Sequence, residues 1–217
     1  KPMLMQIVRL GIPSGLQQMI VSFSNVLVMS YVNRFGSAAI AGFSSANKFD
    51  NFLGLPVNSF MLAITTFVGQ NMGAKQIERV KKGINTCMFM GIGIVIAIGI
   101  PAYLFSDLCI RMFSQEADVI YYGSWMMRTL VPFYSILNIA QVLTGAVRGT
   151  GNTTVPMLIN VFYYCIIRQV FLAVAMMFVN SIVVVFWSYP LTWTLSAVTL
   201  FIYYKRGSWL KHSGVRG

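Results

Sequence analysis

Charge is what this sequence has least of. Only 10% of its 217 residues are charged, against about 25% in a soluble domain. So few charges could not cover a water-facing surface. Acidic groups are scarcer still: Asp50, Glu78, Asp107, Glu116 and Asp118 stand against 16 lysines and arginines, for a net charge of +11. Histidine is reduced to His212 in the polar tail. A membrane acyl or glycosyl transferase needs a reactive histidine or paired carboxylates near a membrane face, and neither is found. Cys87, Cys109 and Cys165 sit on separate segments, with neither metal-ligand spacing nor a disulfide framework. No metal site is expected, and no catalytic residue is assigned.

What the chain does have is apolar length. It is 57% hydrophobic, with a mean hydropathy of +0.70. A spanning helix needs about 20 largely apolar residues, and clusters of Gly, Pro, Asn and charge mark the breaks. Six spans follow, over residues 4–33, 38–70, 77–105, 117–147, 153–179 and 182–204. The third contains the unbroken "CMFMGIGIVIAIGIPAYLF". Spans this long exceed one bilayer thickness, so tilt or protrusion into water is expected. No stretch reads as a strand and no internal repeat is visible. The expected fold class is an all-α integral membrane protein of six transmembrane helices. Lys1 is not an initiator Met, and the first span is too long for a signal peptide; the chain reads as part of something longer.

The basic residues report topology. With six spans both ends share one side. With that side cytoplasmic, Lys1, Arg9, Lys75, Arg79, Lys81, Lys82, Arg148, Lys205, Arg206, Lys211 and Arg216 lie inside, while Arg34 and Arg111 lie outside. Short loops with this bias follow the positive-inside rule. The basic balance is a topology signal, and nucleic acid drops out as a partner.

Two polar loops interrupt the apolar runs. "FVGQNMGAK", residues 67–75, faintly resembles a phosphate loop, but that motif needs four residues between its glycines and Lys-Ser/Thr directly after. Here three residues separate Gly69 from Gly73, and Ala74 precedes Lys75. A helix end is the better reading, with Gly69 or Gly73 adopting the left-handed conformation and Lys75 beyond the negative end of the helix. "RGTGNTTVP", residues 148–156, repeats the design. Gly149 and Gly151 turn the chain, Asn152 or Thr153 caps the next helix, and Pro156 sits in its first turn. Taken singly, each is a plain helix-loop-helix turn.

Taken together with "RLGIPSGLQQ" (9–18) and "ANKFDNFLGLPVNSFMLAITTFVGQNMGA" (46–74), these loops resemble the second half of a MATE, or multidrug and toxic compound extrusion, transporter. The family motif positions are Gly69, Gln70, Asn71, Gly73, Ala74, Arg148, Gly149, Gly151, Thr153 and Pro156, and the match runs in order over nearly the whole chain. The resemblance implies one C-terminal six-helix lobe, over 1–217, of a twelve-helix exporter. Such an exporter expels drugs or other small organic solutes against H⁺ or Na⁺ flow. Its partners would be membrane lipids, a small organic substrate and the N-terminal lobe, in the plasma or inner membrane with both ends cytoplasmic. Some sodium-coupled members carry an acidic residue soon after the "GxPxG" motif, and "GIPSGLQQMIVSFSN" has none. Another branch couples through the first lobe. The coupling site is therefore expected in the missing N-terminal half, and no cofactor is expected.

Ionisable residues inside membranes are costly and by default functional. Lys48, Asp50, Arg128 and Arg168 fall within spans. At about 1.5 Å per residue, Lys48 and Arg128 lie about 15 Å in from the outer ends. Polar stripes accompany them at helical spacing: Gln18, Ser22 and Asn25; Asn47, Asp50, Asn51 and Asn58; Arg128, Ser135, Asn138 and Gln141. Lipid is a poor neighbour for an amide, so these faces should meet a cleft or another helix. Asp50 is expected to pair with Lys48 or Arg128, and Pro56 is either a static kink or a hinge. Two rivals remain in view. A lipid-linked saccharide flippase of the wider superfamily would hold pyrophosphate with Lys48, Arg128 and Arg168. An assembly subunit would need no polar cleft at all.

Overall fold

A computed structural model describes residues 2–207 and Trp209; within that range, nothing is described of the side chains of residues 2–7, 9 and 10. Lys1, Lys211, His212 and Arg216, and the Arg9 side chain, therefore lie outside what is described. The described residues form helices and connecting turns, with no strand among them. The long helices are α1 (Pro2–Val32), α2 (Ser37–Gly73) and α3 (Ile77–Leu104). Next come the short α4 (Ser106–Arg111), then α5 (Ala117–Leu130) and α6 (Tyr134–Gly149). The chain ends with α7 (Thr154–Val161), α8 (Arg168–Phe178) and α9 (Ile182–Lys205). Taken as continuous rods, α2, α3, α5–α6, α7–α8 and α9 are each long and apolar enough to cross a membrane, and α1, of 31 residues, is the sixth long segment.

Two rods are interrupted. A 3₁₀ turn, Val131–Phe133, separates α5 from α6. Pro132 lies in it, and a proline removes one helical donor and crowds the preceding turn. A π-helical stretch, Phe162–Ile167, joins α7 to α8, a local widening that often marks functional positions.

The centre of the lobe is α2 against α6. Gly145 and Gly149 let the two backbones close. A methyl group on Gly145 would stand 2.4 Å from the Met61 carbonyl, and one on Gly149 2.6 Å from the Thr65 carbonyl. The Thr65 hydroxyl donates to the Met61 carbonyl and, at 3.1 Å, to that of Gly145. Close approach of small residues is how membrane helices gain contact where lipid removes the hydrophobic drive. Buried Ile64, Val68, Leu143, Ala146 and Val147 fill the seam.

The turn chemistry differs from expectation in two places. Gly149 is the last residue of α6, selected by this close approach, and the left-handed residue of its loop is Gly151, at φ +89°. Beyond α2 the left-handed residue is neither Gly69 nor Gly73 but Lys75, at φ 57°. Its amide donates to the Met72 carbonyl, and that of Gln76 to Asn71, so carbonyls left free at the helix end are satisfied around a lysine. Asn152 caps α7, accepting from the Val155 amide at 3.2 Å, with Pro156 in the first turn.

Candidate functional site

The polar interior begins at α8. Arg168, 3% exposed, donates to the Asn25 side chain on α1 at 3.1 Å and to the Thr192 hydroxyl on α9 at 3.3 Å. Its guanidinium lies 4.3 Å from the centre of the Tyr189 ring and 5.8 Å from that of Tyr164. Among the described residues the ion pairs are Lys81–Glu78 and Arg128–Asp107. Arg168 is thus a buried cation held by dipoles and ring faces rather than by a contacting carboxylate. The π-helical stretch ends at Ile167, immediately before Arg168.

Aromatic rings connect Arg168 to Asp50. Tyr189 meets Trp193 edge-on at 6.1 Å, and Trp193 meets Tyr134 at 5.5 Å. The Tyr134 hydroxyl donates to the Asp50 carboxylate. The cavity beside Asp50 holds about 10 Å³, at the lower limit of the about 10–15 Å³ that one water needs.

Lys48 and Arg128 do not pair with Asp50, which corrects the sequence expectation. Both long side chains instead reach segment 106–113. Arg128 donates to the Ser106 hydroxyl at 2.8 Å and pairs with Asp107 at 2.9 Å. The Lys48 ammonium sits 4.9 Å over the Phe113 ring. Counting residues to a loop places the Cα, whereas a lysine or arginine carries its charge several ångströms toward water along an apolar stem. Segment 106–113 was read as a loop, so its helix α4 and its acceptors were not anticipated.

The polar stripes divide. Gln18, Ser22, Asn51 and Asn58 are exposed, and Asn47 and Gln141 are half-buried. Asn25 is exposed while holding Arg168. Asn138 is fully buried, donating to the Met88 carbonyl at 3.3 Å against Gly91 of α3, so it serves a helix contact. Ser135 lines an apolar groove beside α3. Pro56 lies within the single helical run of α2, beside a small void with Leu53 and Tyr134.

Sequence reasoning passed over a second buried polar set. Asn160 donates to the Thr144 hydroxyl at 3.3 Å and accepts from Ser196 at 2.9 Å, while Gln169 donates to Ser24. Asn160, Tyr164 and Arg168 recur every four residues, as do Ser188, Thr192 and Ser196. That spacing was the available signal. Among the loop motifs, Arg148 donates to Gln17 at 2.7 Å, tying α6 to α1, and Asn71 donates to the Phe67 carbonyl at 2.8 Å. Gln70, Gly73 and Ala74 are exposed, Thr153 buried. Among the described residues, no group of three His, Cys, Asp or Glu side chains could hold a metal ion.

Comparison with known proteins agrees with the all-helical fold. The chain is 26% identical over 203 residues to the "Probable multidrug resistance protein YpnP" of Bacillus subtilis, covering 94% of this chain and 45% of that protein. It superposes on a crystal structure of a MATE transporter in the bent conformation with a TM-score of 0.89, at 18% identity, covering 99% of this chain and 48% of the other. A MOP superfamily transporter from Pyrococcus furiosus, described as having a binding pocket of reverse polarity, gives a TM-score of 0.88 at 17% identity, covering 96% of this chain and 47% of the other. The chain matches 45% of the length of the YpnP relative and 35% of a second, the "Probable multidrug resistance protein YoeA" of Bacillus subtilis. The MatE family model matches residues 13–174, three-quarters of the sequence, and this multi-pass membrane chain belongs to the MatE family.

Proposed function

We propose that this chain is the C-terminal lobe of a secondary transporter that exports drugs or other small organic solutes by alternating access. Export is driven by H⁺ or Na⁺ antiport, in the plasma or inner membrane with both ends cytoplasmic. One observation carries the reading. Gln18, Ser22, Asn51 and Asn58 lie on membrane-length helices, exposed and without a hydrogen-bond partner among the described residues. An amide at membrane depth is tolerated where it lines a water-filled cavity or meets another polar surface. A cleft closed by a second lobe, which the half-length match to relatives supports, gives these groups such a place.

Coupling belongs to the remainder of the transporter. The Asp50 carboxylate is occupied by the Tyr134 hydroxyl, and the cavity beside it has room for no more than about one water. The flippase reading loses its main support, because Lys48 and Arg128 gather at segment 106–113 while Arg168 stays in the interior. The test is reconstitution of the whole transporter in liposomes under an imposed pH or Na⁺ gradient. Gradient-driven efflux of cationic, neutral or anionic drugs is expected. Movement of lipid-linked sugars with no drug efflux under either gradient would reject the proposal.

A further inference from the structure

At the outer end of α3 the chain builds two adjoining hollows of opposite character. The first is a cleft of about 510 Å³ between α4 and α5, lined by Asp107, Arg111, Gln115, Tyr121, Ser124 and Arg128. The second is a groove of about 280 Å³ along α3, lined by Val95, Ile96, Gly99, Ile100 and Leu104, with Pro132 of the 3₁₀ turn on its far wall. The Arg128 guanidinium, bonded to Ser106 and Asp107, lines the cleft, and the chain leads from one hollow to the other on both walls. Leu104 of the groove is two residues before Ser106, and Pro132 is one helical turn beyond Arg128.

Charge and shape agree on an occupant. Arg111 and Arg128 against Asp107 leave the cleft with one net positive charge. The Arg111 guanidinium has no hydrogen-bond or ion-pair partner among the described residues. Nε and one terminal nitrogen of Arg128 are engaged, which leaves the other terminal nitrogen free to donate. The groove is almost wholly apolar, and at about 1.5 Å per residue its α3 wall from Val95 to Leu104 is about 14 Å long, the length of an extended acyl segment. Helix α4 turns Leu108 outward, as Met112 just after it also turns, while burying Ser106 and Ile110, as a helix lying at a membrane surface does.

We propose that this double hollow binds one anionic phospholipid of the surrounding bilayer. Its phosphate meets Arg111 and Arg128, and one acyl chain lies in the groove beside α3. Arginine suits a phosphate because its planar donors match the oxygens. Val131 and Pro132 of the 3₁₀ turn line the groove opposite Gly99, where an added methyl group would stand 3.2 Å from the Val131 side chain. None of the exposed amides of α1 and α2 lines either hollow, and the site does not depend on which solute is exported.

The test is native mass spectrometry of the detergent-purified whole transporter, titrated with phosphatidylglycerol, phosphatidylethanolamine or glycerol phosphate. Phosphatidylglycerol should be retained about tenfold more tightly than phosphatidylethanolamine, the range of one charge-assisted contact. Arg111→Gln, which removes a guanidinium with no contact to the fold, should erase most of that preference. Ile100→Trp, which fills the groove from an exposed position, should lower retention of both lipids. Equal retention of the two lipids, or a preference that survives Arg111→Gln, would overturn the proposal. So would displacement of the lipid by glycerol phosphate alone, which would identify a soluble anion as the ligand.

Discussion

The Tyr134 hydroxyl donates to the Asp50 carboxylate and lies 3.3 Å from the Asp50 carbonyl oxygen, so one side chain of α6 engages two acceptors of one residue on α2. The pair fastens the central helix seam from its buried side. Tyr134→Phe keeps the ring against Trp193 and removes the donor. It should cost about 1–3 kcal/mol, the range for leaving a buried or charged acceptor unpaired, read as a fall in the melting temperature in detergent. Asp50→Asn should retain gradient-driven efflux, since the amide oxygen still accepts from Tyr134. Loss of coupling with substrate binding intact in Asp50→Asn would place the coupling group in this lobe.

Close packing of α2 and α6 makes a second, sharper prediction. Gly145→Ala puts a methyl group against the Met61 carbonyl and Ile64, where both backbones are fixed. The helices must part, at a cost of about 1–3 kcal/mol. Gly93, on α3, has nothing within 4 Å of the same position, and Gly93→Ala should be neutral or stabilising by about 0.5–1 kcal/mol through helix propensity. Thermal unfolding of the two variants side by side checks the contrast, and equal effects would refute the close-contact account.

The fold was largely legible in sequence because its signal is distributed. Each span rests on many apolar residues, and no single position decides it. The side-chain partners were less so. Lys48 and Arg128 fall on helices α2 and α5, but their charges sit at the far ends of flexible stems. What receives them, Ser106 and Asp107 of α4 and the Phe113 ring, lies in a segment that reads as a loop. The lysine at φ 57° was missed for a related reason. Glycine is the default left-handed residue, and Lys75 is held there by the amide bonds of its own turn. Asn160 and Gln169 carried the same polar-in-apolar signal as Asn25, yet their partners Thr144, Ser196 and Ser24 lie on other helices and are set by packing.

Arg168 tests how far the buried cation depends on its shape. Its planar group serves Asn25, Thr192 and the Tyr189 ring at once. An ammonium cannot reproduce that fork or stack in the same way. Arg168→Lys should therefore destabilise by about 1–3 kcal/mol, the cost of a lost charge-assisted bond, despite keeping the charge. A lysine variant that melts with the parent protein would show that charge alone suffices.

The proposed topology has a direct chemical test. In a background with Cys87, Cys109 and Cys165 replaced by serine, Ser114→Cys should react with an impermeant thiol reagent added outside intact cells. Lys75→Cys, exposed beyond α2, should react after the cytoplasmic face is opened. Labelling of Ser114→Cys from the cytoplasm alone would invert the assignment, and with it the sidedness of the cleft between α4 and α5.

The last prediction is that these 217 residues, reconstituted alone, do not perform coupled export. Gln18, Ser22 and Asn25 recur on one face of α1 at helical spacing, and Gly11 and Gly15 continue that face with nothing within 4 Å of either glycine. Asn25 accepts from Arg168, but Gln18 and Ser22 are unfavourable against lipid, because each loses its water without gaining a partner. Facing a second lobe across a hydrated cleft, the same groups keep their hydration. Away from the first turns of the spans, where Glu78 and Asp118 lie, Asp50 is the one carboxylate, and it is already bonded to Tyr134. The isolated chain thus has half of a cleft wall and no carboxylate open to it. The experiment compares efflux under pH and Na⁺ gradients for liposomes holding the chain alone and the chain with the missing half supplied as a separate polypeptide. Export is expected in the second preparation and not in the first, with Gln18→Cys cross-linking to the added half. Gradient-driven export by the chain alone would show that this lobe holds its own coupling site.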